Sequence, residues 1–366
     1  MEKVDVLIIG AGIVGLAIAE RLSRSYGDVL VVEKEPSFGR HSSSRNSEVI
    51  HSGVYYPRNT LKASLCVSGN GKLYDFLKHH EIRHRQCGKI IVASEEAEIP
   101  VIESLFRSGK ENGVKGIEIL SSEDVHKMEP LCRSQGGLWV PTTGIMDTHC
   151  VMKKLESLAR ENGAMFSYSN EVSDIRQQKE GYAVSFKGGE LEVLARVVVN
   201  SAGLWSGRIS ACAGIDLERF GFKLYWNKGE YYKTSKYKDL DHLIYPVPAP
   251  KGSFLGIHTV INLSGELAFG PNAYYVEDLD YSVDNAHHEE FFKSIKTYLD
   301  IEYDDIWPDS SGIRPKLQGP GEEEKDFLIK NEKDRGYPNF INLIGIDSPG
   351  LTCCLSIAEY VESLIV

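Results

Sequence analysis

The chain has 366 residues, 42% hydrophobic and 25% charged, enough for two domains with sizeable cores and unlike a disordered, collagenous or coiled-coil composition. Lys plus Arg total 41 against 52 Asp plus Glu, a net charge of −11, and no basic block offsets it, which weighs against nucleic acid and anionic lipid as partners. The seven cysteines are scattered, with no C-x-x-C and no zinc-type spacing, so reduced thiols in a cytoplasmic compartment and no metal site are expected.

The N-terminal stretch reads as structure rather than as a targeting segment, because Val4 to Ile9 is too short for a signal core. No apolar window of ~18 residues occurs, so no transmembrane segment is expected and any membrane contact would be peripheral. Val4 to Ile9 is a β-branched run that predicts a buried parallel strand. Gly10-Ala11-Gly12-Ile13-Val14-Gly15 follows, then a small-residue helix to Leu22, then a second buried strand, Val29 to Val32, ending at Glu33 and Lys34. This is a βαβ unit. A serine-rich polar segment runs from Gly39 to Ser47, and Asn70 to His80 reads as a helix. A strand is expected from Gly88 to Ala93, a helix and turn over 123–130, and an amphipathic helix over 147–163. Val172–Ile175 and Tyr182–Phe186 alternate like exposed strands, and Arg196 to Asn200 is a buried strand running into Ser201-Ala202-Gly203. Residues 221–315 are rich in aromatics, prolines and alternating segments, including Phe254 to His258, and predict an antiparallel sheet. Phe340 to Ile346 is a third buried strand, and a closing helix is expected over 351–365.

The glycine pattern has a physical purpose. Gly10 permits a tight turn, Gly12 lets a pyrophosphate approach the backbone, and Gly15 lets helix pack on strand. The helix N-terminus adds partial positive charge. Glu33, at the end of the second strand, can accept hydrogen bonds from both ribose hydroxyls and would repel a 2′-phosphate. Strand, loop, helix, second strand and terminal acid together predict dinucleotide binding. Two further strand-to-glycine junctions, at Gly203 and Gly345, suit FAD, which is long and gripped by distant segments.

The glycine unit, Ser43-Ser44-Arg45-Asn46-Ser47-Glu48-Val49-Ile50-His51-Ser52-Gly53-Val54-Tyr55-Tyr56, Cys87-Gly88-Lys89, Asn200 to Leu204, Tyr245-Pro246-Val247-Pro248, Leu255-Gly256-Ile257-His258 and Ser348-Pro349-Gly350-Leu351 fall in one order along the chain. The sequence resembles the D-amino-acid oxidase superfamily of FAD enzymes, and within it most resembles the L-2-hydroxyglutarate dehydrogenase/oxidase group. Three departures lie near expected substrate territory. Glu48 stands where many of those enzymes have glycine, Lys228 replaces an arginine in Asn227-Lys228-Gly229-Glu230-Tyr231, and Arg314 is followed by Pro315-Lys316.

The resemblance implies an α/β fold: a Rossmann-like, doubly wound FAD-binding domain from residues 1–80, 141–215 and 316–366, and a mixed or antiparallel β-sheet substrate domain from 81–140 and 216–315. It implies noncovalent FAD held by Gly10, Gly12, Ile13, Val14, Gly15, Glu33 and Lys34. Ser44, Arg45, Asn46 and Ser47 would flank the pyrophosphate and flavin. Val172 would contact adenine, and Ala202, Gly203 and Gly345 would line the cofactor. Ser348, Pro349, Gly350, Leu351 and Thr352, at the last helix start, would face the flavin. Arg314 matches the family's carboxylate-binding arginine. His51 and His258 are the candidate bases for the substrate hydroxyl, and Tyr245 and Lys228 the candidates for its distal end. The implied reaction is oxidation of a 2-hydroxy acid, L-2-hydroxyglutarate or similar, to the 2-oxo acid. The electron acceptor would be oxygen, a quinone or an electron-transfer protein. An amino-acid or secondary-amine oxidase, and a non-catalytic FAD-fold scaffold, are the alternatives.

Overall fold

The structure is a computed structural model and describes residues 2–189, 191–238, 240–248 and 256–366. The chain forms two compact units, one from 1–44, 148–226 and 314–366, the other from 45–147 and 227–313.

The first unit is built on an eight-stranded sheet. Its centre is parallel: β1 (Glu2–Ile9) lies between β2 (Val29–Val32) and β6 (Glu192–Asn200). α1 (Ile13–Leu22) joins β1 to β2, and its buried face of Ile13, Leu16, Ala17, Ala19 and Leu22 follows the helical period. α2 (Thr148–Glu161) leads to β3 (Met165–Ser167), which extends the sheet beside β2. β4 (Val172–Gln178) and β5 (Gly181–Phe186) form an antiparallel hairpin whose second strand pairs with β6. Neither strand shows the expected alternation: β4 is mostly exposed, with Val172 and Ile175 buried three residues apart across a register shift, and β5 is largely buried, with Tyr182, Val184 and Phe186 in the unit's core. β7 (Leu328–Asn331) pairs antiparallel with β8 (Phe340–Ile344), which runs parallel to the end of β6. α3 (Gly350–Leu364) closes the unit and packs on α1.

The polar ends of β6 and β8 are tied by a buried web. Asn200 donates to the Asn342 side-chain oxygen at 2.8 Å, Ser210 donates to the same oxygen at 2.9 Å, and Asn342 donates to Glu332 at 3.0 Å. Asn200 and Ser210 also donate to the Ser206 carbonyl, and Glu332 accepts from Arg335, so the buried polar groups are satisfied several times over.

The second unit holds a four-stranded sheet in the order Leu243–Pro246, Lys89–Ala93, Gly136–Val140, Glu118–Ser121, in which the first pair is parallel and the rest antiparallel. A five-stranded sheet includes His258–Ile261 and Leu267–Gly270. Its core gathers Ile90, Val92, Leu138, Ile244, Phe269, Phe291 and Tyr298. Two helices arise where the sequence reading had none: Ile99–Asn112, and His288–Lys296 inside the region expected to be sheet. The latter buries His288, Phe291 and Ile295 on one face and pairs Glu289 with Lys293 one turn on. Phe254 and Leu255 of the expected strand lie outside the described residues.

The expected domain boundary at residue 80 moves to Ser44/Arg45. The helix beginning at residue 61, nine residues earlier than expected, explains it. Its Asn70 donates to the carbonyls of His51 and Thr142, both at 2.9 Å, and Asn112 donates to those of Gly53 and Tyr56, so residues 45–80 are tied within the second unit. Residues 141–147 also fall in the second unit, and 216–226 with 314–315 in the first.

Asn342→Ala leaves Asn200, Ser210 and Glu332 short of a partner, and should lower the unfolding free energy by about 1–3 kcal/mol, read by thermal or urea unfolding of the holoprotein.

Candidate active site

At the head of α1 the backbone is too crowded for side chains. A Cβ on Gly15 would sit 2.0 Å from the Gly10 carbonyl oxygen, and one on Gly10, at φ +104°, would sit 2.7 Å from the Ser201 oxygen. Gly12 caps α1 in an extended conformation, and a Cβ there would lie 3.1 Å from the Ser43 hydroxyl oxygen, which accepts the Ile13 amide at 3.0 Å. No acid occupies the first turn of α1, so its positive end faces no carboxylate of its own.

A cleft of about 1020 Å³, measured out to its open mouth, lies over this loop. Gly10, Gly12, Val14, Glu33, Lys34, Val172, Ala202 and Gly203 line it, all expected from the sequence. Ser43, Arg40, Asn170, Trp205 and Arg208 line it as well, and were not expected. The Glu33 carboxylate accepts the Ala11 amide at 2.8 Å and the Glu35 amide at 2.9 Å, one on each oxygen. Each oxygen keeps a further lone pair for a sugar hydroxyl. Lys34 pairs with Glu35 and lies 3.8 Å over the Trp205 ring, and His41 contacts Glu35 at 2.8 Å. Lys34 and His41 hold the Glu35 carboxyl below its usual range. Glycines that admit a pyrophosphate, a helix N-terminus aimed at it and a carboxylate with spare acceptors fit an adenine dinucleotide such as FAD.

Ile13 and Gly15 stand in the first turn of α1, directly after this loop. Ser44 donates to the Gly39 carbonyl, so it is Ser43 rather than Ser44 that braces the glycine loop. Leu343 and Ile346 of the third strand-to-glycine segment reach the cleft. Gly345, at φ +71°, is pressed against Leu317, where a Cβ would come within 2.6 Å of its side chain. Thr352 is fully buried in the first turn of α3, Gly350 donates its amide to Asp347 at 2.7 Å, and Ser348, Pro349 and Leu351 surround them. The buried Lys316–Asp347 pair, 3.0 Å apart, braces this helix start. Arg314 stands two residues before Lys316, partly buried.

The remaining candidates belong to the second unit. Arg45 lies 3.9 Å over the Tyr281 ring, Asn46 accepts the Glu48 amide at 2.8 Å, and Ser47 adjoins them. Glu48 itself has φ +55°, a backbone state natural to glycine. His258 stacks on Tyr245, ring centroids 3.7 Å apart and planes 9° from parallel. Its Nδ1 lies 3.1 Å from the Thr259 carbonyl, which can only accept. Burial first and the Lys89 charge second push His51 down to about 3, which keeps its imidazole neutral. Lys228 is internally committed: it donates to the Ser282 carbonyl at 2.5 Å and lies 3.7 Å from the buried Glu230, which also contacts Tyr274 and His287.

Lys89 was quoted in the sequence but given no role. It is fully buried, with its ammonium 4.4 Å from the Tyr55 ring centre and 4.6 Å from that of Tyr245. Among the described residues, its Nζ and both tyrosine hydroxyls have no hydrogen-bond partner. The available signal was a lone lysine opening the apolar run Ile90-Ile91-Val92-Ala93.

The family described as DAO, FAD dependent oxidoreductase, matches residues 5–364. The chain belongs to this family of FAD-dependent oxidoreductases. L-2-hydroxyglutarate dehydrogenase, mitochondrial, of Arabidopsis thaliana is 37% identical over 405 residues, covering 99% of this chain and 83% of that protein. The Caenorhabditis elegans protein of the same description is 30% identical over 408 residues, covering 99% and 93%. L-alpha-glycerophosphate oxidase from Mycoplasma pneumoniae, solved dithionite-reduced with FAD bound, superposes with a TM-score of 0.87 at 26% identity, covering 100% of this chain and 95% of that one. Glycine oxidase from Geobacillus kaustophilus has the same fold, with a TM-score of 0.83 at 19% identity.

Two outcomes are expected. Gly15→Ala forces the loop open and should lower the flavin-to-protein ratio after purification, read from the visible and ultraviolet absorbance. Burial pushes Lys89 down to about 7, so between about pH 7 and the ordinary lysine range the unfolded chain holds a proton the folded chain has released. Stability should therefore rise with pH across that window, and Lys89→Met should flatten the rise, as read by thermal unfolding at several pH values.

Proposed function

We propose that this FAD-dependent oxidoreductase oxidises L-2-hydroxyglutarate to the 2-oxo acid. The observation that carries the reading is the 37% identity, over 99% of this chain, to a relative named L-2-hydroxyglutarate dehydrogenase. The substrate is a dicarboxylate with a hydroxyl on C2, and the chain's residues divide the work. Arg314 grips the C1 carboxylate through two parallel N–H donors and so orients C2. His258, stacked on Tyr245, or His51, kept neutral by its surroundings, takes the hydroxyl proton. When bound, the flavin supplies the two-electron acceptor that takes the hydride from C2. The α3 N-terminus, which has no acid in its first turn, offers positive potential where charge accumulates. Arg45, Asn46 and Ser47 complete the polar surroundings of the cofactor in this reading. The electron acceptor is oxygen, a quinone or an electron-transfer protein. The seven free cysteines support a reducing compartment, for which we propose the cytoplasm.

Anaerobic mixing of the holoenzyme with L-2-hydroxyglutarate should bleach the flavin and release 2-oxoglutarate mole for mole, while glycine, sarcosine and D-amino acids leave it oxidised. Bleaching by amines alone would replace this reading with the amine-oxidase one. Arg314→Met should raise KM by roughly 10- to 100-fold, the worth of a charge-assisted carboxylate contact.

A further inference from the structure

The energetics of the Lys89 cluster call for a reason. An unpaired ammonium taken out of water is costly, and so is each buried hydroxyl left unsatisfied. Here one ammonium and two hydroxyls lie together, all buried and all without hydrogen-bond partners among the described residues. The two tyrosine faces offer Lys89 only cation–π contacts.

The arrangement follows from the sheet. Lys89 and Ile91 face one side of their strand, and Tyr245 is registered opposite Ile91 on the parallel neighbour, so Lys89 and Tyr245 are diagonal neighbours on one face. His258 stacks on the same Tyr245 ring. An unneutralised cation and two phenolic donors therefore stand beside a candidate base. Lys228, the sequence candidate for the substrate's distal end, already has Glu230 as counter-ion and the Ser282 carbonyl as acceptor. Lys89 has no such commitment.

We propose that Lys89, with the Tyr55 and Tyr245 hydroxyls beside it, holds the second carboxylate of a 2-hydroxy dicarboxylate and thereby selects dicarboxylates over monocarboxylates. The proposal rests on the hydroxy-acid reading above and adds the group that recognises the far end of the substrate. An arriving carboxylate takes the ammonium from the two ring faces and gives it an ion pair and a charge-assisted hydrogen bond. The two hydroxyls donate to the remaining lone pairs, so three unsatisfied groups are satisfied by one ligand. With its pKa pushed down to about 7, Lys89 is regained in its charged form by the carboxylate that binds it.

The test compares L-2-hydroxyglutarate with L-2-hydroxypentanoate, which has the same chain length without the second charge, by anaerobic flavin reduction in wild-type and Lys89→Met holoenzyme. The ratio of the two kcat/KM values should fall by roughly 10- to 100-fold in the variant, the range for one charged hydrogen bond. A fall of both values together, with the ratio unchanged, would mean that Lys89 only supports the fold, and the proposal would be wrong. Tyr55→Phe and Tyr245→Phe remove only a hydroxyl each; should Lys89→Met fail to fold, a several-fold drop in the same ratio in these two variants supports the proposal and an unchanged ratio overturns it. Calorimetric titration with glutarate, which carries both carboxylates and no hydroxyl, separates the two readings. If the wild type binds glutarate in a Lys89-dependent way but no hydroxy acid bleaches the flavin, the oxidation reading fails and the subsite stands. If wild type and Lys89→Met bind glutarate equally, or neither binds it, the subsite fails whatever the flavin does.

Discussion

The first unit depends on a contact that leaves no room for a side chain. The Gly15 α-carbon approaches the Gly10 carbonyl so closely that a Cβ would fall 2.0 Å from its oxygen, and Gly10 in turn lies against Ser201 at the end of β6. Ser201 closes the triangle by donating its hydroxyl to the Ile9 carbonyl at 3.0 Å. Three stretches that are far apart in the chain, the ends of β1 and β6 and the head of α1, are thus brought to backbone contact. The cleft exists because of this. Its floor is backbone, its positive potential comes from α1, and Glu33 is locked to the loop by the Ala11 amide. A side chain at Gly10 or Gly15 would move the helix away from the sheet and separate the amides from the carboxylate.

Much of that unit was legible because its signals are local. The run Val4 to Ile9, the glycines and the acid at residue 33 lie within one βαβ unit, and each has a single stereochemical reading. The strand into Gly203 and the strand into Gly345 are read in the same way. What was not legible depends on partners distant in sequence. Asn70 ties its helix to Thr142, so the chain changes units at residue 45 rather than at 80. The helix His288–Lys296 is short, and its apolar face of Phe291 and Ile295 is indistinguishable from a half-buried strand until its partners are known. Ser43 and Ser44 are neighbours of one residue type, and only the loop geometry makes the first the acceptor of the Ile13 amide. Glu48 shows the converse. Its φ of +55° is a backbone state natural to glycine, and the strain is carried here by a residue with a side chain.

Three of the buried lysines show how the fold handles positive charge. Lys316 and Asp347 are each 4% exposed and 3.0 Å apart, and together they fix the turn into α3. Lys228 is held by Glu230 and a backbone carbonyl within a network that also includes Tyr274 and His287. In both cases the charge is neutralised inside its own unit, and removing either partner would strand the other in a medium that solvates it poorly. Lys89 breaks the pattern, since its neighbours are ring faces and phenols whose own ionisation burial makes harder. A methionine of similar length would fill the same space without the desolvation cost, so packing does not account for the lysine. The same charge disfavours a second proton on His51, which keeps that imidazole able to accept one. The unpaired ammonium therefore keeps its charge available to an anion, as an ion pair could not, and it adds to the burial that keeps the His51 imidazole neutral.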